Sequence, residues 1–333
     1  MKKTCKHLRF GAIAAAGFLV AMGLPGPGDL FAGADCYAMK ECLAKSRSSG
    51  DPRQVLEYLG QALRLCPQED LRTRAAIHVN RGVMYSRLGQ QYKAIAELDK
   101  AVAANPDLSS AYHNRGNAYF ALGKNDNALA DFNMAIKLKP ENPDSYIARG
   151  GVYAALKAYD KALAGMNQAI ARAPGSPSAY NGRAYVYGLL GRHSEAASDL
   201  SKVIELDSEL VPESYIGRGY EYLWLNKCPQ AKADLEKGIS LGAQPDLAYA
   251  NMGVYEWACR RSKENALLYY EKAFKSNFSA WSALYDEASD GHFIKGLNTS
   301  PEFKALVRKY RKQGGEPGQD LPGVEANVTH MVN

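Results

Sequence analysis

The sequence predicts an all-α solenoid of antiparallel helix hairpins, and three observations within the chain predict it. Small residues recur every 34 positions at Gly82, Gly116 and Gly150, then Ala184, with Gly219 one residue late. Tyrosines keep the same step: Tyr112, Tyr146, Tyr180 and Tyr215 run ahead of them, and Tyr85, Tyr119, Tyr153, Tyr187 and Tyr222 behind, before a second small column at Ala94, Ala128, Ala162, Ala196 and Ala231. Each unit holds two apolar stretches of helical period, split by a turn such as Leu122-Gly123-Lys124-Asn125, and Pro106, Pro140 and Pro174 close three units. Residues with almost no side chain let two antiparallel helices approach closely. Proline then ends the second helix, because it cannot continue the hydrogen-bond ladder. One such hairpin cannot bury its own apolar face, whereas stacked neighbours can, so the repeat implies an array.

At the front, Lys2, Lys3, Lys6 and Arg9 precede the uncharged run Gly11–Leu24, and Ala32-Gly33-Ala34 follows as a small-residue cleavage pattern. That is the layout of a secretory signal peptide. The run is shorter than the ~20 apolar residues of a membrane span. Residues 1–34 are therefore expected to be cleaved after Ala34, with an uncleaved anchor as the alternative, giving a periplasmic or secreted protein that is not integral to a membrane. Net charge is +6 for the whole chain. Four basic residues and Asp29 give the leader +3, so +3 remains, spread without the basic stripe that nucleic-acid binding requires.

Residues 35–74 read as a degenerate first hairpin, with Leu59, Ala62 and Pro67 in register over 36–69 and five extra residues before the next unit. The array then runs over 75–278, as units 75–108, 109–142, 143–176, 177–210 and 212–245 and a degenerate unit at 246–278. In that last unit Gly253 keeps the register, but NALLYYEKAF fits only with one residue inserted at the turn. Ser300-Pro301-Glu302 offers an N-cap serine, a proline at the first helical position and an acid in the first turn, so 279–312 reads as a helical cap. The Gly/Pro-rich stretch 313–333 is expected to be disordered.

One charge recurs where an apolar residue would be expected. Arg81, Arg115, Arg149, Arg183 and Arg218 occupy one register of the first helix. In an antiparallel hairpin the register within their reach holds Glu97, Asp131, Gly165, Asp199 and Asp234. The degenerate units have Cys42 with Tyr58 and Met252 with Tyr269 at these two places. Arginine and acid vanish together, which predicts an interhelical clamp, since the planar guanidinium fork suits a carboxylate. Arg149 is the exception, free to borrow Asp131 from the preceding unit or to bind a ligand.

The exported chain has Cys36, Cys42, Cys66, Cys228 and Cys259, an odd number with no Cys-x-x-Cys pair. An oxidising compartment would allow disulfides to persist. With Cys36 at the start of a first helix and Cys66 at the end of its partner, Cys36–Cys66 is the favoured bond, and Cys42 an alternative. Cys228 at one turn and Cys259 near the corresponding edge of the next unit are candidates to bridge neighbours. No cofactor or metal is expected. The histidines lack metal-ligand spacing, and neither a Gly-rich phosphate loop nor a G-x-S-x-G elbow occurs, which argues against an enzyme.

The repeating positions over 75–278 resemble those of the tetratricopeptide repeat family. The resemblance implies a right-handed superhelix that binds a protein or peptide partner along a concave surface of first helices. Mapped onto this chain, that surface carries Asn80, His113, Asn114, Asn117, Phe120, Asn181, Tyr185, Tyr220, Trp224, Asn251 and Trp257. Asparagine can hydrogen-bond an extended backbone without reading its sequence, and large aromatics are favoured anchors. The family members that capture a C-terminal carboxylate use lysine where this chain has Val79, His113, Ile147, Asn181 and Ile216, so that mode is not expected. The expected function is a non-enzymatic interaction scaffold; the alternative is an accessory subunit of an envelope glycan system, with the aromatic residues as a sugar platform.

Overall fold

A computed structural model of the chain describes residues 27–206, 211–282 and 295–311, excepting the side chains of 27–37, 277–282 and 311. The described residues form fifteen helices and no strands. The first hairpin is α1 (Pro27–Ser48) and α2 (Pro52–Leu65), followed by α3 (Leu71–Arg87) with α4 (Gln91–Ala104), and α5 (Ser109–Ala121) with α6 (Asn125–Leu138). Then come α7 (Pro143–Ala155) with α8 (Tyr159–Arg172), α9 (Pro177–Leu189) with α10 (His193–Glu205), and α11 (Val211–Trp224) with α12 (Cys228–Ser240). The hairpin of α13 (Pro245–Ala258) and α14 (Lys263–Ser282) precedes a terminal α15 (Pro301–Arg311). Each helix packs on the next, and first helices of successive hairpins also meet, α3 on α5, α5 on α7, α7 on α9 and α11 on α13.

The turn inside each of the six hairpins from α3 onward is set by one left-handed residue. Gly89, Gly123 and Gly191 take φ of 69 to 70°, and Lys157, Asn226 and Arg261 hold the equivalent place at φ 55 to 57°. The residue after each returns its N–H to the end of the first helix, as Lys124 N to Tyr119 O at 2.9 Å and Ala158 N to Tyr153 O at 2.8 Å. This closes the carbonyls that a helix C-terminus leaves unpaired. In the last hairpin the bond runs from Ser262 N to Glu256 O, one residue longer, which is the inserted residue expected there.

Between the helices of a hairpin, the close approach places a large second-helix side chain over the small first-helix residue. A Cβ on Gly116 would lie 2.8 Å from the Phe132 ring, and one on Gly82 2.6 Å from Leu98. The expected contact of Gly116 with Ala128 is thus incomplete: the residue one turn beyond the alanine covers the glycine. The apolar interior is a chain of small clusters, such as Ala128, Phe132, Ala148 and Val152 between neighbouring hairpins. It is largest at the C-terminal end, where Tyr270, Phe274, Leu297, Phe303 and Tyr310 are buried together. There α15 lies on α14, tied by Lys309 Nζ to Glu271 Oε1 at 2.7 Å and Lys263 Nζ to Glu302 Oε2 at 2.6 Å, and Ser300 Oγ accepts from Phe303 N at 3.3 Å. A solenoid needs such an element to cover its last apolar face.

Several boundaries shift. The five residues before unit 75–108 do not form a loop: α3 starts at Leu71, capped by Asp70 Oδ1 accepting from Thr73 N. Arg74 explains the extension, because its Nη1 donates to Leu63 O and Cys66 O and so closes the end of α2. Helix α1 begins at Pro27, inside the expected leader, so Cys36 lies well within that helix and not at its start. Helix α14 runs to Ser282, past the expected end of the array at 278. Residues 1–26 of the expected signal peptide and the expected tail lie outside the described residues.

Candidate partner-binding surface and the arginine clamps

The arginine column sits between helices, not on an open groove. Arg115 donates from Nε and Nη2 to Asp131 Oδ2 and Oδ1, both at 2.8 Å. Arg183 does the same to Asp199 at 2.7 and 2.8 Å, and Arg218 to Asp234 at 2.7 and 2.9 Å. The acids are buried, with Asp131 6% exposed. Two parallel charge-assisted bonds fix both distance and angle between the helices. Hydrogen bonding to Asp131 drives the Arg115 guanidinium further toward its charged form, against the opposing effect of burial. Glu97 is held differently, by Arg81 Nε at 2.7 Å, His78 Nδ1 at 2.9 Å and Lys100 Nζ at 2.8 Å. Burial would raise its pKa, but the three donors outweigh burial and hold it at about 2.

Four of the five guanidiniums also bond backward through Nη1, a contact that sequence reasoning missed. Arg115 Nη1 donates to Asp99 Oδ1 at 2.7 Å, Arg149 Nη1 to Asn133 Oδ1 at 2.7 Å, Arg183 Nη1 to Asn167 Oδ1 at 2.7 Å, and Arg218 Nη1 to Ser201 Oγ at 2.9 Å. These acceptors belong to the second helix of the preceding hairpin. The arginine therefore joins three helices and couples consecutive repeats, and tyrosines flank it, Tyr112 at 5.4 Å from Arg115 and Tyr180 at 5.6 Å from Arg183. The signal was in the sequence as a polar column two residues after the acid. Arg149 does not borrow Asp131. It takes Asn133 instead, with Gln168 Oε1 at 3.4 Å from Nη2.

The candidate partner residues divide by what they already touch. Asn80 is exposed, and Asn114, Phe120, Asn181 and Tyr185 are half-buried. Asn114 Nδ2 is turned back onto Ser110 O at 2.8 Å. His113 is committed between first helices: Nδ1 meets Ser145 Oγ at 3.1 Å and Nε2 meets Asn117 Nδ2 at 3.2 Å. Burial lowers its pKa, with Asp144 opposing, which keeps the ring neutral, as an Nε2 acceptor requires. Asn251 is buried, at 7% exposure, so it cannot line a groove. Trp257 is half-buried in the C-terminal cluster, and Gly296 lies against its ring. Tyr220 meets Trp224 edge-on at 6.4 Å, and the Trp224 indole stacks flat on His193 at 4.7 Å. His193 Nδ1 in turn shares a 2.6 Å hydrogen bond with buried Glu221, whose pKa burial pushes up.

Cys228 and Cys259 form a disulfide, with Cα atoms 5.9 Å apart. It staples the turn between α11 and α12 to the end of α13. Cys42 is a free thiol directed at Gln61 Oε1, 3.5 Å away. The side chain of Cys36 lies outside the described residues, and with it the expected Cys36–Cys66 bond. Among the described residues no group of three or more His, Cys, Asp or Glu side chains could hold a metal ion, and no helix is long and apolar enough to cross a membrane.

Comparison with known proteins agrees with this geometry. The TPR repeat pattern matches residues 82–123 and 116–157, and the tetratricopeptide repeat pattern matches 159–210. A tetratricopeptide repeat protein from Parabacteroides merdae ATCC 43184 superimposes with a TM-score of 0.58 at 24% identity, covering 82% of this chain and 99% of that one. Pseudomonas aeruginosa PilF does so at 0.54 and 13% identity, covering 72% and 99%. No curated protein matches the sequence. The matched patterns place tetratricopeptide repeats at residues 82–157 and 159–210, and the stacked hairpins around them have the fold of a tetratricopeptide repeat solenoid.

Proposed function

We propose that the array is a non-enzymatic scaffold that holds a partner protein or an extended peptide against its first helices, outside the cytoplasm. The observation that carries this reading is a split among first-helix side chains. Four of the five arginines are consumed by clamps, while Asn80, Asn117, Phe120, Asn181, Tyr185, Tyr220 and Trp224 keep exposed or half-exposed amide and ring surface. Asparagine amides suit the alternating donors and acceptors of an extended backbone. Tyr220 and Trp224, with a ring fixed by His193, offer a preformed anchor that loses little entropy on binding. A sugar platform would need open ring faces, whereas one Trp224 face is covered by His193 and Tyr220 stands edge-on to the indole. Export is supported by the basic and apolar pattern of residues 1–34 and by the Cys228–Cys259 bond, which suits an oxidising compartment.

The experiment is affinity capture from the exported fraction, with Tyr220→Ala plus Trp224→Ala as the control. A protein recovered by the parent chain and depleted at least tenfold by the double variant is the expected result. Equal recovery by both, or co-purification of polysaccharide in place of protein, overturns the reading.

A further inference from the structure

The repeat of α7 and α8 lacks the acid that closes its neighbours. Gly165 stands where Asp131 and Asp199 stand one repeat earlier and later. The hairpin has closed over the gap: a Cβ on Gly165 would lie 3.1 Å from the Tyr146 carbonyl oxygen and 3.4 Å from the Gly150 Cα. No carboxylate of the described residues fills the place. Arg149 Nε is buried without a hydrogen-bond partner, and Nη2 has only the 3.4 Å contact to Gln168. A second guanidinium lies against the same ring, with Arg172 4.1 Å and Arg149 5.6 Å from the Tyr146 centroid. Arg172 donates only to carbonyls, Pro140 O at 2.6 Å and Gln168 O at 2.9 Å. Among the described residues neither arginine pairs with a carboxylate. Asn133, Gln168 and Arg172 are exposed, so the place is closed on the Gly165 side but open to solvent at Arg149 Nη2.

We infer that Arg149 and Arg172 form an anion site that takes a side-chain carboxylate from an acidic segment of the partner. The ligand class follows from the register: Arg115, Arg183 and Arg218, at the same point of their repeats, each hold an aspartate through Nε and Nη2. Here the carboxylate comes from outside. It displaces the long Gln168 contact and is shared between the two guanidiniums, neither of which pairs with a carboxylate among the described residues. The site lies apart from Tyr220 and Trp224 along the array, so it is a separate point of contact for the partner. The inference rests on the scaffold reading for the nature of the partner, but it is tested without one.

The probe is a hexaglutamate peptide, followed by NMR through the Nε–Hε signals of the arginines, with hexaglutamine and inorganic phosphate in parallel. The Arg149 and Arg172 signals are expected to shift and saturate with hexaglutamate, while those of Arg115, Arg183 and Arg218 stay still and hexaglutamine has no effect. Arg149→Gln and Arg172→Gln should each weaken the peptide at least tenfold. Gln168→Glu, at an exposed helical position, places an internal carboxylate on the site and should block the peptide with unchanged circular dichroism. Absence of saturable shifts, shifts of equal size at all five arginines, or full binding by Gln168→Glu overturns the site. A phosphate response equal to that of hexaglutamate overturns its assignment to acidic peptides. If affinity capture succeeds while hexaglutamate leaves Arg149 still, the scaffold stands and this site falls; the reverse pair of results separates them the other way.

Discussion

Arg115 and Arg149 occupy the same register one repeat apart, and they differ in almost everything around them. Arg115 has two bonds to buried Asp131 and one to Asp99, so its charge is fully paired. Arg149 has two amide oxygens, one of them distant, and a buried Nε with no acceptor. The covering side chain changes as well, from the rigid ring of Phe132 over Gly116 to the flexible thioether of Met166 over Gly150. So does the turn, from Gly123 to Lys157 in the same left-handed conformation. The comparison teaches that the fold tolerates loss of the clamp. Close packing of Gly165 on Gly150 substitutes for it, and the unpaired charge that results is available for another use. Helix pairing is thus over-determined, whereas charge pairing is local to each repeat.

The largest effect should come from opening the closed repeat. Asp131→Ala would leave Arg115 half-buried with only exposed Asp99, and removal of one partner of a buried pair costs about 3 kcal/mol at the lower end of the usual range. Urea denaturation, with hydrogen exchange over α5 and α6 to localise the loss, measures it. A loss under ~1 kcal/mol would make the pair an ordinary surface bridge and erase the contrast between the two repeats.

A smaller and more discriminating effect is expected at the glycines. Gly116→Ala drives a methyl to 2.8 Å from the Phe132 ring, and overpacking of this kind costs roughly 1–3 kcal/mol. Gly150→Ala meets the end of Met166 at 3.0 Å, which can swing aside, and the Ala162 carbonyl oxygen at 3.3 Å, which need give by only a few tenths of an ångström, and the better helix propensity of alanine returns roughly 0.5–1 kcal/mol. Thermal unfolding of the two variants should therefore separate, Gly116→Ala clearly lower and Gly150→Ala near the parent. Equal losses would show that backbone contact, not the covering side chain, sets the spacing.

The smallest effect is at the turns. Lys157→Gly should relieve a left-handed non-glycine residue and raise stability by up to about 1 kcal/mol, while Gly123→Ala should lose about 1 kcal/mol. The two substitutions bring the repeats' turns into agreement from opposite sides, and the same unfolding measurement reads both.

Much of this was legible in the sequence for a simple reason. Hairpin packing depends on residues within one repeat, and repetition prints those residues several times. The acid partners of the arginines were visible because both groups are missing together at Cys42 with Tyr58 and at Met252 with Tyr269. The surface was less legible. His113 sits at a first-helix position that faces a neighbouring first helix, and whether such a residue is open depends on the size of what lies across from it. His113 finds Ser145, which leaves room for a shared hydrogen bond, and Asn251 is buried.

The sequence alone determined the repeat length, the helical hairpin, the proline stops and the pairing of arginine with acid, because each is set by spacing along one short stretch of chain. Only the tertiary structure decided which second-helix residue of the preceding repeat receives the third arginine bond, that α3 extends back to Leu71, and that His193 stacks on Trp224. These depend on how far and at what angle one hairpin is displaced from the next. That displacement is fixed by the summed packing of side chains from both units, which a period in the sequence does not specify.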